Sequence, residues 1–165
     1  MLEEIKNDVL HILLCLFAYK EKIQKDKSSY SCTEFTEELV SLNALAEIIV
    51  VRFSRIADKR SDVRSIKNLL KKEPSLNAKY KKEIEEFYSL AKCIVNRRND
   101  SIAHMKPGIL TIYPLQPLGK NTGDAVTSLV LLIDLFSGHK INYMWQPTSH
   151  CRKVDLRAEL LSESS

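Results

Sequence analysis

Residues 75–104 read SLNAKYKKEIEEFYSLAKCIVNRRNDSIAH, and this stretch decides the fold. Apolar side chains recur in it at spacings of three and four residues, the period of an α-helix that buries one face. They are Tyr80, Ile84, Phe87, Ala91 and Ile94, with lysines and glutamates on the flanks. The sequence therefore predicts one long amphipathic helix that begins near Ser75 and packs this stripe against neighbouring helices.

The predicted helix ends in a polar cluster that contains Arg98 and Asn99 and is followed by His104. Arg98 comes four residues after Ile94, so it continues the buried stripe, where an arginine is costly unless its charge is paired or used. A guanidinium can donate paired hydrogen bonds to a phosphate, and an imidazole can exchange a proton near neutral pH. These two groups together are suited to metal-free cleavage of RNA by its own 2′-hydroxyl, a reaction that needs proton transfer and a cation on the phosphorane.

Each polar residue of this cluster has an expected role. Arg98 would bind the scissile phosphate, His104 would act as general acid and base, and Asn99 would orient the phosphate or the arginine. Asp100 lies four residues before His104, so it could fix the imidazole tautomer. Arg97 is a supporting candidate that is expected to face phosphate or solvent rather than to act in catalysis.

The spacing of Arg98 and His104 limits how they can meet. They are six residues apart, which is a rotation of about 240° on an unbroken helix, so they would not share a face. Either the helix ends or bends near residues 99–101, or a second copy of the chain completes the site.

The other segments also predict helices. One is expected from Leu2 to about Gln24, and a second begins at Ser31 or Thr33 and runs to about Asp58. A short helix stops before Pro74, and another spans residues 125–136 and ends at Gly138. The expected fold is an all-α, up-and-down bundle of four or five main helices with an irregular C-terminal extension. Residues 1–165 form one domain, with a core of about 1–138 and a tail of 139–165 that either covers the bundle or contributes to the cleft.

Composition narrows the function classes. The net charge of +4 permits attraction to a polyanion. The four cysteines are scattered without the CxxC spacing of a zinc site, and we expect no metal and no cofactor. The apolar run 9–19 is too short to span a bilayer and no secretory signal is visible, so a cytoplasmic protein with no membrane partner is expected.

Arg98, Asn99, four further residues and His104 together resemble the motif of the HEPN superfamily. The layout of residues 1–106, with two apolar helices, a polar connection and a leucine-containing helix before the motif, is similar to the abortive-infection U-type HEPN proteins. The resemblance implies a helical bundle and a homodimer with the motif at its interface. It also implies metal-independent endoribonuclease activity on RNA in phage defence or toxin–antitoxin systems, with a nucleotidyltransferase-type antitoxin as a candidate partner. The alternatives are a non-catalytic HEPN-like module that binds RNA, a nucleotide or a partner protein, and a plain helical scaffold.

Overall fold

The computed structural model describes residues 1–99, 115, 117–119 and 121–161, and in this part the chain is an all-α bundle, as predicted. The four long helices are α1 (Leu2–Gln24), α2 (Cys32–Ala57), α5 (Lys81–Arg97) and α6 (Thr122–Ser137). The short helices are α3 (Ile66–Lys72), α4 (Pro74–Lys79) and α7 (Leu156–Leu161). The strands β1 (Met144–Trp145) and β2 (Val154–Asp155) pair antiparallel, with Met144 opposite Asp155.

The core lies between the four long helices. Helix α1 packs on α2, α2 on α5, α5 on α6, and α6 returns to α1. The predicted stripe of α5 is buried at Ile84, Phe87, Ala91 and Ile94. The rings of Phe53 and Phe87 meet with centroids 5.8 Å apart, which joins α2 to α5 in the middle of the bundle.

Local signals set two of the helix boundaries. Ser31 rather than Thr33 caps α2: its hydroxyl accepts a hydrogen bond from the backbone N–H of Glu34, and the Glu34 carboxylate accepts one from the backbone N–H of Ser31. Gly138 ends α6 with a φ of 72°, the left-handed conformation that glycine adopts without strain.

The prediction of one continuous helix from Ser75 is wrong, because the chain leaves helical geometry at Tyr80 (φ −122°, ψ 34°). The Tyr80 ring packs against Phe136 of α6, with centroids 6.0 Å apart. The break therefore coincides with a contact to a distant helix. The spacing of apolar residues around Tyr80 does not predict the break. The expected stop before Pro74 is confirmed, since Pro74 opens α4.

A buried carboxylate joins α1 to α2. The Asp8 side chain is 6% exposed, and its Oδ1 accepts hydrogen bonds from Arg52 Nη1 at 2.9 Å and Arg55 Nη2 at 2.5 Å. The Asp8 carboxylate lies on the buried face of α1, where an unpaired charge would be costly. The two guanidinium groups offset that cost.

The tail covers the bundle. Leu156 and Leu160 of α7 are buried in the main core, and α7 packs on α1 and α6. An ion pair of 2.5 Å between Arg157 and Asp134 fastens α7 to α6. None of the helices in the described ranges combines the length and the apolar content required to cross a bilayer.

Candidate functional site

A cleft of about 570 Å³ lies between the C-terminal ends of α2 and α5. This volume falls within the usual range for ligand sites. Among the described residues it is lined by Ser54, Ala57, Asp58, Lys59, Tyr88, Ala91, Lys92, Val95, Asn96, Arg98 and Asn99. The small side chains of Ser54, Ala57 and Ala91 are buried where the two helices face each other, and their size leaves the space open.

Arg98 lines this cleft and is half-buried, at the place where the stripe of α5 would continue. The regular α-helix ends at Arg97, and the backbone N–H of Arg98 still donates to the carbonyl oxygen of Ile94, one turn earlier. Within the described part of the chain, the Arg98 guanidinium makes no hydrogen bond or ion pair.

Among the described residues that line the cleft, Asp58 supplies the negative charge. Its side chain is 12% exposed, and it accepts hydrogen bonds from the backbone N–H of Arg60 at 2.9 Å and from Arg60 Nε at 3.0 Å. Burial alone would raise the pKa of Asp58, but the hydrogen bonds from Arg60 and the charges of Arg60 and Arg98 outweigh it and hold the pKa below its usual range. The carboxylate therefore stays ionised.

The charges around the cleft favour an anionic ligand. Lys59, Lys92 and Arg98 contribute three positive charges, and Asp58 contributes one negative charge among the described lining residues. Asp58 is paired with Arg60, and among the described residues it forms no ion pair with Arg98. The charge of Arg98 still acts on Asp58 and lowers its pKa.

Arg97 is not among the described residues that line this cleft. Its Nη1 donates a hydrogen bond to the carbonyl oxygen of Pro117, so the guanidinium binds the chain's own backbone. The next residue, Leu118, donates from its backbone N–H to the Tyr19 hydroxyl at 3.4 Å and packs on the core. Arg97 thus helps to hold this short segment on the bundle.

Two of the five candidate residues, Asp100 and His104, lie outside the described residues. The expected meeting of Arg98 with His104, and of Asp100 with His104, stays a prediction. Arg98 and Asn99 are brought together at the same cleft.

Asp58 and Lys59 are site residues that the sequence analysis missed, because it treated the segment after α2 only as a polar connection. The signal that could have found them is a pair of small residues in the last turn of α2: Ser54, four residues before Asp58, and Ala57, directly before it. Small residues in facing helices indicate where a cleft can open.

The described residues hold no group of three or more histidine, cysteine, aspartate or glutamate side chains that could bind a metal ion. No family model, curated protein or solved structure matches this chain. The resemblance to the HEPN superfamily therefore depends on the motif residues and the helix layout alone.

Proposed function

We propose that this protein is a metal-independent endoribonuclease of the HEPN type. The observation that carries the proposal is the Arg98 guanidinium, which lines a cleft whose described residues carry a net positive charge and which has no ion-pair partner among them. An arginine held in this way on a half-buried helical position is suited to bind one phosphate with paired donors.

In the proposed reaction, the 2′-oxygen of the substrate attacks the adjacent phosphorus and the bond to the 5′-oxygen breaks, which leaves a 2′,3′-cyclic phosphate and a 5′-hydroxyl. Arg98 neutralises the equatorial oxygens of the phosphorane. His104 acts as the general base and accepts the proton of the 2′-hydroxyl. His104 also serves as the general acid, which gives a proton to the leaving 5′-oxygen. Asn99 orients the phosphate, and Asp100 sets the tautomer of His104.

The proposal includes a homodimer that places two such clefts side by side. Val40, Ile48 and Val51 are exposed apolar residues on α2. Val51 lies one turn before Ser54, which lines the cleft, so this apolar surface and the cleft are neighbours on α2. A second copy seated on the same surface would be related by a two-fold axis and would close both clefts.

The dimer can be tested by light scattering. The variant Ile48→Lys/Val51→Lys should be monomeric and should lose cleavage, while its circular dichroism spectrum stays that of the folded wild type. Phe35→Lys is the matched control, because Phe35 is also an exposed apolar residue of α2 but lies in its first turn. A double variant that remains dimeric would place the interface elsewhere.

The HEPN resemblance would assign this activity to phage defence or to a toxin–antitoxin system in the cytoplasm. RNA would be the substrate, and a nucleotidyltransferase-type antitoxin would be a candidate partner.

The nuclease proposal is tested by cleavage of a labelled RNA in the presence of EDTA. Arg98→Ala and His104→Ala should each lower the rate by roughly 100-fold or more, the scale expected for one lost transition-state donor. Arg64→Ala and His139→Ala are the matched controls: Arg64 pairs with Glu4 on the surface, and His139 is exposed at the end of α6. Full activity in either motif variant would refute the mechanism. Binding of RNA without cleavage by the wild type would favour the non-catalytic module.

A further inference from the structure

A second cleft, of about 360 Å³, adjoins the first. It is lined by Lys59, Lys67, Leu70, Lys71, Asn77, Ile84 and Tyr88. Lys59 and Tyr88 line both clefts, so the two share a wall and a chain molecule leaving the Arg98 cleft can continue into the second.

The charge of the second cleft has one sign. Three of its lining residues are lysines, and none of those described is acidic. Lys67 and Lys71 are four residues apart on α3, and like charges at this spacing destabilise a helix by about 0.2–0.5 kcal/mol. A bound anion would relieve this repulsion.

Two of the lysines are held in place by the protein. The ammonium of Lys59 lies 5.1 Å from the centre of the Tyr88 ring, a cation–π contact. Lys67 Nζ donates to the backbone carbonyl of Lys59 at 2.8 Å. These contacts reduce the entropy that the two side chains would lose on binding a ligand.

Helix α3, which carries Lys67 and Lys71, is itself fixed to the bundle. The side-chain amide of Asn68 donates to the backbone carbonyls of Arg60 and Val63, both at 2.7 Å. Ile66 and Leu69 are buried in the core. The lysines therefore sit on a rigid element rather than on a loop.

Tyr88 adds a neutral hydroxyl at the junction of the two clefts. Burial raises the pKa of Tyr88 to about 12, against a smaller opposing effect of the Lys67 backbone, so the phenol stays protonated. Its oxygen is buried and makes no hydrogen bond of ordinary geometry within the described part of the chain.

We propose that Lys59, Lys67 and Lys71 bind the backbone phosphates of a single RNA strand whose scissile phosphate lies at Arg98. This inference rests on the proposed function, because it assigns the path of that same substrate. The lysines would contribute affinity that is independent of base sequence, as phosphate contacts do.

The test is binding of a fluorescein-labelled 2′-O-methyl-uridine 12-mer, which cannot be cleaved, followed by fluorescence anisotropy at several KCl concentrations. Lys59→Gln/Lys67→Gln/Lys71→Gln is compared with Lys25→Gln/Lys140→Gln/Lys153→Gln, which removes the same charge from exposed lysines outside both clefts. Each phosphate contact to a single strand contributes about 0.7 to the slope of log affinity against log salt. The slope of the cleft variant should therefore be smaller than the wild-type slope by about 2. Raising KCl from 50 to 200 mM should then weaken binding by a factor that is about 20 times smaller for the cleft variant than for the wild type.

The control variant should keep the wild-type slope within about 0.7, one phosphate contact, and both variants should keep the wild-type melting temperature. Equal slopes for the two triple variants, or no binding of the 12-mer by the wild type, would overturn the strand path. A cleft variant that loses inorganic tripolyphosphate binding but keeps the 12-mer slope would also overturn it, in favour of a site for free polyphosphate. The readout is binding, so a protein that shows the expected slopes and never cleaves RNA would refute the nuclease and leave the strand path intact.

Discussion

The Asp8 carboxylate offers a sharp test of how α1 and α2 are held together. The variant Asp8→Asn keeps the size of the side chain and removes the charge that Arg52 and Arg55 share. Loss of one partner from a buried ion pair usually costs about 3–5 kcal/mol of unfolding free energy. The cost should be smaller here, because the Arg52 and Arg55 side chains are 34% and 37% exposed and regain water when the carboxylate is lost.

One further observation lowers the expected cost. Asp8 Oδ2 is buried and has no hydrogen-bond partner among the described residues, so the wild type already carries one unsatisfied acceptor. We therefore expect Asp8→Asn to lower the unfolding free energy by about 2 kcal/mol, which corresponds to a fall of about 4–8 °C in melting temperature for a domain of this size.

Urea unfolding followed by circular dichroism measures this change directly. Asp62→Asn is the matched control, because Asp62 is exposed and its replacement should stay within about 0.5 kcal/mol of the wild type. The double variant Asp8→Asn/Arg55→Gln should reveal a coupling energy of about 1 kcal/mol between the two side chains. An Asp8→Asn variant as stable as the control, or a coupling energy near zero, would show that the ion pairs add nothing to stability.

Three further perturbations have expected outcomes. Phe87→Ala should lower the unfolding free energy by about 3–5 kcal/mol in urea unfolding, because the ring is fully buried against Phe53; a loss under 1 kcal/mol would contradict the described core. Asp58→Asn should destabilise the protein at pH 7, because the folded pKa of Asp58 lies below its unfolded value near 4 and the ionised carboxylate stabilises the fold above that value. This difference from the wild type should shrink as the pH falls below about 4, which unfolding curves at pH 7 and pH 3 would show. Gly138→Ala should lower the unfolding free energy by about 1 kcal/mol in a thermal melt, because alanine is strained at a φ of 72°. Gly123→Ala is the control: in the first turn of α6 the added methyl group meets no neighbouring atom, so it should not destabilise the protein.

The long helices could be predicted from sequence because their signals are local. The bounds of α1 match the prediction, and residues 48–51 belong to α2 although four β-branched or apolar residues in a row are typical of a strand. The apolar period of the whole segment and the cap at Ser31 outweigh that local preference.

The features that the sequence analysis missed depend on partners far along the chain. The break at Tyr80 accompanies its contact with Phe136, which is 56 residues away, and the strands β1 and β2 are two residues each, too short for a periodic signal. The hydrogen bond from Arg97 to Pro117 also joins residues that are distant in the sequence, so no local pattern predicts it. For the site, the period of α5 predicted Arg98 on the buried stripe, and the structure has it half-buried at the end of that stripe. The cleft itself depends on the register of α2 against α5, which no single helix reveals.

The cleft beside Arg98 exists because Ala57 and Ala91 leave side-chain volume unfilled. It can therefore be blocked by added carbon atoms, with every charge and every donor left in place. Ala91→Leu adds three carbon atoms at a position that lines the cleft, so it should reduce the cleft volume. A substitution at one of these two alanines would therefore test whether the cleft must be open, separately from whether its charges are needed.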